Sequence, residues 1–124
     1  MKALAFSILG VSAVGAVRAT QRGRPCRFLG IPFPGAPWQH ALTVGSPMSA
    51  PPIMLATLVV AVRRGRSDVV GLLSTVFIVG ILSEPDTWAT LRRPRVDPVS
   101  TVCVGLEIVL PAALLLETLR ARSQ

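Results

Sequence analysis

The chain has 124 residues, of which 51% are hydrophobic and 15% charged, with a formal net charge of +7 and a mean hydropathy of +0.59. So apolar a balance excludes an ordinary soluble domain, and the length leaves room for one domain only. Four stretches, 3–17, 41–62, 69–82 and 98–116, hold 70 residues and a single charge, Glu107, whereas the other 54 residues carry 18.

This distribution is that of a polytopic membrane protein. It predicts an all-α integral membrane bundle of four short transmembrane helices at about 3–17, 47–62, 69–82 and 98–116, in a plasma or inner membrane. The cations fall directly beside the apolar stretches. Lys2, Arg18, Arg63, Arg64, Arg66, Arg92, Arg93, Arg95 and Arg120 therefore read as surface charges facing a lipid bilayer with anionic headgroups. Nucleic acid is not an expected partner, because no basic stripe with interleaved aromatics offers a stacking platform.

Residues 3–17 follow a lysine and end at Arg18, which suits a first span. The same stretch also fits a secretory signal with Val14-Gly15-Ala16 as its cleavage site, and removal of residues 1–16 would leave three spans. Residues 18–46 form a predicted interfacial loop. Pro32, Pro34 and Pro37 exclude a continuous helix there, and Phe28, Phe33 and Trp38 suit headgroup depth. His40 closes the Pro-rich run as a polar anchor or a ligand.

The second span is expected to begin at Ser46-Pro47 and to bend near Pro51. Ser67-Asp68 and Asp97-Pro98 mark the starts of the third and fourth spans in the same way. Between those two, Asp86 to Arg93 is predicted to make one or two turns of surface helix carrying Trp88 and Leu91. Spans of 14 to 16 residues would cover roughly 21 to 24 Å, short of the roughly 30 Å of hydrocarbon. With four spans, six cations lie on one side and seven on the other, so cation counting sets no orientation.

Glu107 is the one ionisable side chain within a predicted span, ten residues into 98–116. A carboxylate at that depth must be paired, protonated or wet. Ser100, Cys103 and Pro111 share its helix face, making a narrow polar stripe expected to look into the bundle. Pro111 lacks the N–H that would bond the Glu107 carbonyl. Ser7 or Ser12, Thr57, Ser74 and Thr75 lie at similar depth on the other helices, so the group is a candidate ligand or proton site or a set of hydroxyls that bind the helices together.

Cys26 and Cys103 belong to the same half of the molecule, as a disulfide or as two thiols. Two cysteines and one histidine give no metal site, and no cofactor motif is present. Glu84, Asp86 and Asp97 are expected to neutralise Arg92, Arg93 and Arg95 locally.

The size, the four predicted spans and the one buried glutamate resemble the small drug/proton antiporters. In that family, however, the essential glutamate lies in the first helix and aromatic residues line the site. Here it lies in the last predicted span, and tyrosine is absent. Three functions stay open from the residues. The first is a non-enzymatic accessory or self-associating subunit with a protein partner or a homo-oligomeric state. The second is a proton- or cation-coupled transporter of a small amphipathic molecule. The third is a membrane enzyme acting on a lipid-like substrate, with Glu107 as general acid assisted by His40 or Asp86.

Overall fold

A computed structural model of the chain describes residues 1–23, 27–28, 31–32, 34–42 and 50–124. Helices dominate it: α1 (Lys2–Gln21), α2 (Pro37–Leu42), α3 (Pro52–Arg63), α4 (Ser67–Ser83), α5 (Pro85–Arg92) and α6 (Pro98–Ser123). The other regular element among the described residues pairs two residues with two, β1 (Arg27–Phe28) against β2 (Ile31–Pro32), antiparallel.

Each helix boundary has a local cause. α1 runs past Arg18 and stops before Gly23, whose positive φ of 62° turns the chain. A charge does not end a helix, whereas a left-handed residue does. α3 begins at Pro52 because that ring holds its predecessor, Pro51, in extended backbone with ψ of 135°. α6 begins at Asp97, whose carboxylate accepts the backbone N–H of Ser100, with Pro98 at the first helical position.

Two helices are long and apolar enough to cross a membrane, α1 with 20 residues and α6 with 26. At 1.5 Å per residue they measure about 30 and 39 Å, so they reach across the hydrocarbon without the shortfall expected from the sequence. α4 and α5 pass the same test only together and are bent by 68° at Glu84, which allows a third crossing as a broken span. Of the expected span at 47–62, the described part holds the 12-residue helix α3, about 18 Å long and shorter than a crossing needs, with Ala50 and Pro51 before it not helical. The proposed start at Ser46-Pro47 lies outside the described residues. The surface helix foreseen near Trp88 is α5. Ser67 does not cap α4, since Arg66 is its N-cap and makes no side-chain cap bond.

α1, α3, α4 and α6 pack in a closed cycle, each against two neighbours, with the most extensive faces at α4–α6 and α1–α6. Neighbours in this cycle run antiparallel. The Met1 amino group pairs with Glu117 near the end of α6, and at the other end Arg18 near the end of α1 meets Asp97 at the start of α6. Ile8, Leu58, Val70, Phe77 and Leu114 form the main apolar core, and Ala19 and Val104 a second cluster beside α5.

Beside this core, the packed faces of α1 and α6 are rich in small and polar residues. α1 buries Ala5, Ile8, Ser12, Gly15 and Ala19, and α6 buries Ser100, Cys103, Val104, Glu107, Pro111, Leu114 and Thr118. The outer surface carries Phe6, Val14, Val17, Leu72, Val76, Val79, Val102, Leu106, Val109 and Leu116. Large apolar side chains outside and small or polar ones inside are what a lipid solvent selects, because close helix approach, not removal of oil from water, then holds helices together. This is a membrane protein's surface.

Candidate functional site

The polar stripe predicted on the last helix faces inward. The spacing of its buried positions, three and four residues by turns, keeps one seam of α6 against α1 and α4. Glu107 is 6% exposed, and its Oε1 accepts the Ser12 hydroxyl of α1 at 2.7 Å, between residues 95 apart in sequence. Of the two serines proposed on α1, Ser12 makes this bond. Ser7 is exposed and donates to its own helix at the Ala3 carbonyl, 2.8 Å away.

The other predicted site residues are distributed differently. Ser100 is buried and bonds Asp97 rather than Glu107. Cys103 is buried as a free thiol one turn before Glu107, while Cys26 lies outside the described residues. Ser74 is buried on α4 and donates to the Val70 carbonyl. Thr57 and Thr75 lie on the outer surface, each donating to a carbonyl one turn back, Ile53 and Gly71. Such back-bonding satisfies a hydroxyl in lipid without a partner helix.

His40 is 4% exposed, and its Nε2 lies 2.8 Å from the Pro34 carbonyl, so it fastens α2 to the preceding turn as a polar anchor does. Asp86 sits in the first turn of α5. The carboxyl of Glu107 and the ring of His40 are thus held by different partners. Among the described residues, no group of three or more His, Cys, Asp or Glu is placed to hold a metal ion.

The sequence reading missed a second polar cluster, at the end of α1. Asp97 is 4% exposed and was assigned to the neighbouring Arg92, Arg93 and Arg95. It pairs instead with Arg18 at 3.1 Å and Arg22 at 3.4 Å. Bonds from Ser100, with the Arg18 guanidinium adding to them, hold its carboxyl well below the usual carboxylate range. The cap signal at Asp97-Pro98 was visible in the sequence, but nothing local announced arginines 79 and 75 residues away. Thr87, fully buried on α5, leaves its hydroxyl without a hydrogen-bond partner among the described residues.

Two polar ties therefore join the first helix to the last, one mid-bundle and one at the rim. The mid-bundle tie can hold a proton between a hydroxyl and a carboxyl, and the rim tie fixes helix ends by charge. Gly71 lets α4 approach α6 closely, since a Cβ there would meet Thr118 Oγ1 at 3.2 Å. Comparison with protein-family models, curated proteins and solved structures gives no match to this chain.

Proposed function

We propose that this chain is a small polytopic membrane protein of a plasma or inner membrane that works through its surface, as an accessory subunit of a larger membrane complex or by association with its own copies. The observation that carries this reading is the bond between Ser12 and Glu107. Glu107, the acid near the middle of α6, is 6% exposed and already engaged by a neighbouring helix, which suits an internal fastening. Such fastenings are worth on the order of 0.6 kcal/mol each in helical membrane proteins.

The test is purification from membranes in mild detergent, with the molar mass of the protein component measured by light scattering. The reading expects assemblies heavier than one 13.1 kDa chain, kept in Glu107→Gln. One chain per micelle, with nothing attached, overturns it.

A second reading, a proton- or cation-coupled transporter, draws on Pro111. This residue cannot donate to the Glu107 carbonyl, so a backbone acceptor and a carboxyl lie together on the buried face of α6. It expects vesicles containing the protein to take up an amphipathic cation such as tetraphenylphosphonium against a proton gradient, and Glu107→Gln to stop uptake. Equal uptake by both proteins removes it.

A further inference from the structure

At the end of the bundle where α1 begins and α3 finishes, a groove of about 150 Å³ opens between the two helices, lined by Lys2, Ala5, Phe6, Val59, Val62 and Arg63. Its walls are apolar: Ala5 and Val62 form the floor from the core, and Phe6 stands exposed at the side. Its mouth carries two cations, one on the first residue of α1 and one on the last residue of α3.

The acids at this end are already committed. Asp68 takes Arg66 at 2.9 Å, and Glu117 takes the Met1 amino group at 2.6 Å. Among the described residues, Lys2, Arg63 and Arg64 have no carboxylate within ion-pairing distance. A greasy slot with two uncompensated cations at its mouth, set at the end of a helix able to cross a membrane, matches one chemistry. The ligand needs an anionic head for the cations and a hydrocarbon tail for the walls.

We infer that this groove is a binding site for an anionic phospholipid, with the phosphate between Lys2 and Arg63 and one acyl chain along Ala5, Phe6, Val59 and Val62. The inference rests on the membrane character of the chain and not on what Glu107 does. Arg64 follows Arg63 immediately and adds to the local positive potential. A free phosphate would use the cations and leave the apolar walls bare. A zwitterionic lipid would use the walls and bring its own positive charge to the cations.

The experiment is native mass spectrometry of the full chain released from detergent with dioleoyl-phosphatidylglycerol and dioleoyl-phosphatidylcholine at equal concentration. One phosphatidylglycerol is expected to stay bound at least tenfold more than phosphatidylcholine. The preference should fall to near unity in Lys2→Ala/Arg63→Ala and stay in Arg92→Ala/Arg93→Ala, at the opposite end. Val59→Trp, which fills the slot and keeps both charges, is expected to lose the lipid as well. Equal retention of the two lipids, no effect of the double substitution, or displacement of phosphatidylglycerol by millimolar inorganic phosphate would each overturn the proposal. A second measurement needs no variant: phosphatidylglycerol with a diazirine on its acyl chain should label residues 2–6 and 59–63. Label confined to other segments overturns it too.

Discussion

Ser12 of α1 donates its hydroxyl to Oε1 of Glu107 on α6 at 2.7 Å, and both residues are buried. A double-mutant cycle with Ser12→Ala and Glu107→Gln, read by thermal unfolding in detergent, is expected to give a coupling energy on the order of 0.6 kcal/mol. Each single variant should be less stable than the parent. Additive single effects would mean that the two side chains do not act on one another.

The cluster at the bundle's other polar tie titrates in a defined direction. Asp97 has a depressed carboxyl in the folded chain, so the unfolded chain binds more protons at low pH and stability rises with pH there. The contribution is complete above the ordinary aspartate value of about 4 and is lost as pH falls below it toward the folded value. Asp97→Asn is therefore expected to lower the unfolding temperature at pH 7, and its gap to the parent to hold down to about pH 4 and then narrow steadily as pH falls toward about 2. A gap that stays constant over this interval would refute the role of the charge.

Asp97 also caps α6 through the Ser100 backbone N–H. Asparagine can keep that cap and alanine cannot, so Asp97→Ala should lose about 1 kcal/mol more than Asp97→Asn. Equal losses would show that the cap adds nothing beyond the pairing with Arg18 and Arg22.

Two glycines in helices make opposite predictions. Gly71 faces Thr118 at the α4–α6 crossing, and Gly10 on α1 faces open space. Gly71→Leu should drive the helices apart and cost about 1–3 kcal/mol, as overfilled packing does. Gly10→Ala should gain up to about 1 kcal/mol from helix propensity. Thermal unfolding of both variants in one detergent checks the pair, and a tolerated leucine at 71 would contradict the close crossing.

Cys103 is a free, buried thiol. In a Cys26→Ser background it is expected to react with a polar maleimide at least a hundredfold more slowly in the folded protein than in denaturant. Rapid labelling of the folded chain would place water beside Glu107 and favour the transport reading.

The sequence carried the greasy runs and the start of the last helix at Asp97-Pro98 well, because these depend on local backbone chemistry. It misplaced the ends. Arg18 and Glu117 were read as boundaries, yet arginine, glutamate and leucine are all good helix formers and the helices run on through them. Within the stretch expected to be helical from residue 47, the described helix starts only at Pro52, whose ring holds Pro51 in extended backbone. The inward turn of Ser100, Cys103 and Glu107 followed from helical spacing. Which hydroxyl reaches Glu107 did not, since Ser7 and Ser12 look alike until α1 is packed. The buried seams of α1 and α6 mix Ser, Gly, Ala and Glu with Ile8, Val104 and Leu114, so no regular apolar spacing marks them in the sequence.

The partners of the first helix lie in the last one: Ser12 needs Glu107 and Arg18 needs Asp97, across 95 and 79 residues of chain. During synthesis α1 therefore leaves the ribosome before either acid exists. Its hydroxyl and guanidinium must find temporary company in water, headgroups or the insertion machinery until α6 arrives. The bundle can close only once α6 is made, so insertion of its first helix does not by itself decide this fold.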